Sequence, residues 1–144
     1  MSIQLEVSQV VDRPVQVVFH FYADEHVRNH PRWDPDIELQ KAVEGPLRLG
    51  SKIIRRNKRS GTPVDGTMEV VEFEVNRALG MLIYDGAVEM RGRATFEEVE
   101  PGRTRVTVSA EMPGLDESSV NTSLMKSRMQ RSVDTMKQLI ESEL

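Results

Sequence analysis

The sequence predicts an α+β domain in which one antiparallel sheet of about seven strands is covered by a long C-terminal helix. The order is one strand, two short helices, six strands, one long helix. Three observations carry this. Between residues 36 and 113, period-two stretches are separated by short turn signals, which makes consecutive strands antiparallel neighbours. Val106, Val108, Ala110 and Met112 alternate with Arg105, Thr107, Ser109 and Glu111, so one sheet face is covered and the other faces water. An amphipathic stretch over about residues 118–143 needs an apolar surface to lie on. With 144 residues and no repeat, low-complexity tract or linker, a single domain over residues 1–144 is expected.

The elements follow in order. Ile3, Leu5 and Val7 alternate with Gln4, Glu6 and Ser8, as on a half-buried strand. Asp12-Arg13-Pro14 supplies an N-cap candidate and an early helical proline. Val15, Val18, Phe19 and Tyr22 then fall at i, i+3, i+4 and i+7, the spacing of a short amphipathic helix. Residues 24–35 are polar and interrupted by Pro31 and Pro35, which predicts a second short helix ending in a loop that carries Trp33. Candidate strands are 37–43, 52–59, 67–75, 79–84, 89–99 and 104–112. Gly45-Pro46, Ser60-Gly61-Thr62-Pro63, Asn76-Arg77, Asp85-Gly86 and Pro101-Gly102 break them. On the last helix Val120, Met125, Met129, Ser132, Val133, Met136, Leu139, Ile140 and Leu144 fall within an arc of about 140°.

Composition removes several function classes. There is no cysteine, which eliminates disulfides, thiolate metal centres and cysteine nucleophiles. Nineteen Lys and Arg against 23 Asp and Glu argue against wholesale nucleic-acid binding. The opening Met-Ser-Ile-Gln-Leu-Glu lacks the basic-then-apolar pattern of a secretory signal. The longest nearly apolar run, residues 79–84, is far short of a membrane span. A cytoplasmic location without integral membrane association is therefore expected. No Gly-rich phosphate loop or nucleophile elbow occurs, so no cofactor is expected. Eight methionines outnumber seven aromatic residues, which predicts a soft interior that adapts its shape.

Local segments add a resemblance that spans the chain. Pro14-Val15-Gln16-Val17-Val18-Phe19, Trp33-Asp34-Pro35, Gly45 with Gly50, and Pro101-Gly102-Arg103-Thr104-Arg105-Val106 stand in this order. They resemble the first-helix opening, the Trp-x-Pro segment, the strand 2–3 turn and the Pro-x-Gly-Thr-x-Val turn of the START-like (SRPBCC) superfamily. In the last segment Arg103 intrudes between Gly and Thr. This superfamily includes polyketide cyclase/dehydrase and lipid-transfer domains and plant pathogenesis-related allergens. The resemblance implies the helix-grip fold: a strongly bent sheet wrapped around the long helix, with a ligand cavity between them. It implies no reaction, because the superfamily has no shared catalytic motif that maps here.

Site candidates come from the faces that would line such a space. Met125, Met129 and Met136, with Ser132 on the same stripe, would form a flexible wall, or else ordinary helix-on-sheet core. Met90, Gly92, Ala94 and Phe96 share one strand face, where the small residues leave room beneath the helix or mark close packing. Trp33 sits at the cavity mouth or anchors the second short helix. Tyr84 offers a hydroxyl or is a rim residue. Arg55 lies in a basic run with Lys52, Arg56, Lys58 and Arg59; it either points inward as a clamp for a ligand anion or pairs across strands with acidic neighbours. Glu69 shares a face with Thr67, Val71, Phe73 and Val75, and an inward position would make it a candidate base; the opposite face, with Met68 and Val70, fits a covered surface as well. His26 and His30 are four residues apart, but without a His-Glu-x-x-His pattern they are expected, with His20, to be exposed and to bind no metal.

Three functions are compatible with these residues. The first is a carrier or binding domain for a hydrophobic small molecule, such as a lipid or polyketide. The second is a cyclase/dehydrase-type enzyme without metal or nucleotide cofactor, using Glu69, Arg55 and Tyr84 as base, oxyanion partner and proton donor. The third is a protein-interaction or stress-related module, which should show a filled core and an exposed apolar patch. A monomer and a homodimer are equally compatible with the sequence.

Overall fold

The computed structural model describes residues 2–144. Its elements are β1 (Ile3–Val11), α1 (Val15–Phe19), a π-helical turn (His20–Asp24), α2 (His26–Trp33), β2 (Ile37–Lys41), β3 (Lys52–Asn57), β4 (Val64–Glu74), β5 (Ala78–Asp85), β6 (Val88–Glu100), β7 (Arg103–Met112) and α3 (Thr122–Glu143). The strands form one curled antiparallel sheet in the order β1-β7-β6-β5-β4-β3-β2. Residues 42–51 loop from β2 to β3 and residues 58–63 from β3 to β4, short turns join the strands from β4 to β7, and β1 closes on the last of them, with Val7 opposite Val108.

The helical segment after β1 departs from expectation in three ways. Asp12 does not cap α1; Pro14 holds the cap position and Asp12 pairs with Arg103 at 2.8 Å. The chain then widens into a π turn, closed by the Glu25 amide donating to the His20 carbonyl at 3.1 Å. Phe21, Tyr22 and Ala23 are all buried there, while His20 and Asp24 at its two ends face outward. Helix α2 continues through Pro31, so Trp33 ends a helix instead of sitting in a loop. The buried Asn29 side chain secures this corner by donating to the Phe21 carbonyl at 2.8 Å and accepting from Arg32 at 3.0 Å.

The concave face carries Ile53 and Arg55 from β3, Met68 and Val70 from β4, Leu79, Met81 and Ile83 from β5, and Ala94 and Phe96 from β6. A bulge at Val71 resets the alternation of β4. Phe73 therefore packs inward although Val71, two residues earlier, is half exposed. The face proposed for Glu69 does not exist as one surface. Glu69 lies on the outer side opposite Lys52, while Met68 and Val70 take the inner positions. The basic run is also shorter than expected, since β3 ends at Asn57 and Arg59 lies in the following loop.

Helix α3 begins four residues later than the amphipathic pattern suggests, with the Asn121 side chain accepting from the Leu124 amide at 3.0 Å. Its C-terminal half is fixed to β1 by polar contacts. Lys137 donates to the Val10 carbonyl at 2.8 Å, and Gln9 donates to Asp134 at 2.9 Å. Val133, Met136 and Ile140 are buried there, whereas Met125 and Met129 in the first half are only partly covered. At the other end of the interior, Phe19 meets Phe73 and Phe96 edge-on at 5.5 and 5.1 Å, an interlocked aromatic cluster.

Candidate functional site

The space left unfilled is a cavity of about 190 Å³ between the sheet and the first half of α3. Met68, Met81, Met90, Met125, Met129 and Met136 line it, six of the chain's eight methionines, so most of its wall is unbranched and mobile. Gly92 and Ala94 form its floor, where a larger residue would fill the space. Ser132 and Trp33 also line it. Two residues expected here lie elsewhere. Tyr84 points from the opposite side of β5, where its hydroxyl donates to Glu89 at 3.2 Å; that bond raises its pKa and holds it protonated. Phe96 is on the inner face, but against Phe19 and Tyr22 in the filled part of the core.

One end of the cavity is polar, and most of its residues were not anticipated. His26 is 3% exposed and His30 is half-buried, against the expectation of exposed histidines. His26 Nδ1 lies 2.8 Å from the Tyr22 carbonyl, and its Nε2 lies 2.9 Å from His30 Nδ1. Burial pushes the His26 pKa down to about 4. Burial, reinforced by His26, Arg55 and Arg59, also pushes His30 well below its usual range. The signal was present in the sequence: Tyr22, His26, His30 and Trp33 fall at i, i+4, i+8 and i+11, one helical face. Polar histidines conceal that face from hydropathy.

Arg55 points inward and is 3% exposed, and a carboxylate from its own chain already holds it. Asp85 takes it in a fork, at 2.7 Å from Nε and 3.2 Å from Nη2. Gly66 stands between them in register, opposite Arg55 on one side and Asp85 on the other, and its lack of a side chain leaves the path open. Burial works to raise the Asp85 pKa; hydrogen bonds from Arg55 and Asn57 overcome it and hold the carboxyl below its usual range. Arg59 is likewise paired with Asp34 at 2.7 Å. Among the described residues, Arg128 on the exposed rim is the one lining cation with no carboxylate within 4.0 Å. No three His, Cys, Asp or Glu side chains among the described residues converge as metal ligands. No described helix is long and apolar enough to cross a membrane.

A family model described as polyketide cyclase/dehydrase and lipid transport matches residues 2–141. No curated protein matches the chain in sequence. Solved structures do match in fold. Ara h 8.0201 superposes with a TM-score of 0.76 at 14% identity, covering 99% of this chain and 100% of that one. Norcoclaurine synthase from Thalictrum flavum, in complex with dopamine and hydroxybenzaldehyde, gives 0.75 at 10% identity over 100% and 89%. The ginseng major latex-like protein 151 from Panax ginseng gives 0.74 at 12% identity over 95% and 96%.

Proposed function

Since the chain belongs to the polyketide cyclase/dehydrase and lipid-transport family, we propose that it binds a hydrophobic small molecule between the curled sheet and α3, as a carrier or binding domain. The observation that carries this reading is the unfilled space beneath the first half of α3, walled by methionines. A close-packed domain fills such a space with side chains. A soft apolar wall with a few polar groups at one end suits an apolar ligand held in one orientation. The test is binding of a fluorescent fatty acid or similar apolar probe, displaced by a lipid extract. Met129→Trp is expected to weaken binding at least ten-fold by occupying the space, with circular dichroism unchanged. Failure of every apolar probe to bind would refute the reading. Native mass spectrometry reports a co-purifying ligand and separates monomer from homodimer; cell fractionation tests the cytoplasmic location.

A cyclase/dehydrase-type enzyme is the second reading, and the half-buried His30 at the cavity wall favours it. Glu69 and Tyr84 stand on the outer face, so acid–base work inside the cavity would fall to the histidines. His30→Phe should then abolish turnover of a confirmed substrate while retaining its binding.

A further inference from the structure

At the polar end of the cavity, chemistry fixes the direction of each hydrogen bond. The Tyr22 carbonyl only accepts, so His26 Nδ1 carries a proton toward it. Burial keeps His26 neutral at pH 7, which leaves its Nε2 as a lone pair. His30 Nδ1, 2.9 Å from that lone pair, must donate. His30 is neutral as well, so its Nε2 has no proton and is an acceptor. The nearest carboxylate oxygen, on Asp34, is 3.9 Å away, and two acceptors do not bond. Among the described residues, no fully buried side-chain nitrogen or oxygen lacks a partner. The unpartnered His30 Nε2 is therefore open, on a residue that lines the cavity.

Two residues that carry donors, Trp33 and Tyr22, line the same cavity as this acceptor. The Trp33 ring lies nearly parallel to both His30, at 5.6 Å, and Tyr22, at 5.0 Å. Among the described residues, neither the indole N–H nor the Tyr22 hydroxyl has a hydrogen-bond partner, so neither atom is fully buried, and both residues line the cavity. The neighbouring cations are already compensated, Arg55 by Asp85 and Arg59 by Asp34. This end of the cavity thus offers hydrogen bonds of both senses without a free charge.

Resting on the cavity as a ligand site, we propose that the His26–His30 pair recognises a neutral hydroxyl, so that the protein selects an apolar alcohol or phenol over the matching hydrocarbon and carboxylate. A hydroxyl donates to His30 Nε2 and accepts from the indole N–H or from Tyr22. A hydrocarbon strips water from all three polar atoms and gives nothing back. A carboxylate can take the two donors but only accepts, so it leaves the His30 lone pair unmet and finds Arg55 and Arg59 already paired. Arg128 lies at the exposed rim, where solvent screens it.

Naphthalene, a naphthol and a naphthoate, titrated at neutral pH, separate the possibilities. The naphthol should bind about 3- to 10-fold tighter than naphthalene, the yield of one neutral hydrogen bond, and tighter than the naphthoate. His30→Phe keeps an aromatic ring beside Trp33; it should erase the naphthol's advantage and leave naphthalene affinity within about two-fold. If none of the three binds, the cavity reading itself falls. If naphthalene binds but the naphthol gains nothing, or the naphthoate binds tightest, the hydroxyl site alone is overturned. Nitrogen-15 NMR of the unmutated protein gives a check independent of any variant. Both histidines should be neutral Nδ1–H tautomers, with His30 Nε2 shifting when the naphthol is added. A proton on His30 Nε2 in the free protein overturns the proposal.

Discussion

Arg55 and Asp85 are bound to each other at 2.7 Å, with only 3% of the arginine side chain exposed. Removing Asp85 leaves the almost fully buried Arg55 charge uncompensated; removing both leaves a packing problem only. Asp85→Ala should therefore cost about 3 kcal/mol or more, and the double variant Arg55→Met, Asp85→Leu much less. Urea denaturation of the three proteins decides it, and equal losses in single and double variants would contradict this account. His26 makes a second prediction at the same scale. Its ordinary pKa is 6.5 and folding pushes it down to about 4, so the unfolded chain takes up the proton first. The stabilisation is complete above pH 6.5 and is lost as pH falls toward 4. At 1.36 kcal/mol per pKa unit this amounts to about 3 kcal/mol. The part between pH 6.5 and 5 reports on histidines, because most carboxylates titrate lower; His30 adds to the slope and His20, raised by its bond to Asp24, opposes it, so the comparison with His26→Leu isolates His26. A slope in His26→Leu equal to that of the parent would remove His26 as the cause.

Strand β4 shows what an alternating pattern can and cannot say about an element. Its period-two reading was sound on either side of Val71, but the bulge there joins two half-strands of opposite phase, and the pattern fits both faces equally. For that reason the pattern leaves Glu69 open to either face, and the register puts it outside, opposite Lys52. By contrast, β7 has no register shift against β1, and the stripe on α3 repeats over six turns, so both were legible. Parity puts Arg55 on the face of Ile53 without saying which face is inward; its partner Asp85 lies two strands away, and only the three-strand register brings them together. Helix α2 was half legible: its residues were identified, but burial of His26 depends on packing against the π turn and Trp33. The same register predicts where a methyl group can be added. A Cβ on Gly66 would lie 1.7 Å from the Tyr84 carbonyl oxygen, and backbone cannot give way there. A Cβ on Gly92 would meet only the tip of Ile83, at 3.4 Å. Gly66→Ala should thus cost about 3 kcal/mol or block folding, and Gly92→Ala less than about 1 kcal/mol. Thermal unfolding separates them, and comparable losses would mean the β4–β5 contact is looser than described.

Across the whole molecule, side-chain types are sorted by whether the interior is complete. Phenylalanines close one end, where Phe19, Phe73 and Phe96 interlock. Methionines border the end that is open. The composition already held both groups, but a shared strand face could not tell Phe96 in the filled end from Ala94 two residues earlier at the cavity. A domain built this way gives up stability where its core is incomplete. A ligand that fills the space should return that stability, and a side chain that fills it should do the same permanently. At a ligand concentration one hundred times its Kd, linkage gives about 2.7 kcal/mol, which raises the Tm of a domain this size by roughly 8 °C. In Met129→Trp the free protein should match or exceed the parent Tm, because the indole occupies space that is otherwise empty. Its ligand-induced shift should fall to roughly 4 °C or less, because a ten-fold loss of affinity at the same ligand concentration leaves about 1.4 kcal/mol. Scanning calorimetry with and without the naphthol tests both halves together. A variant that melts well below the parent, yet keeps the full ligand shift, would show that residue 129 packs against filled core and that the cavity lies elsewhere.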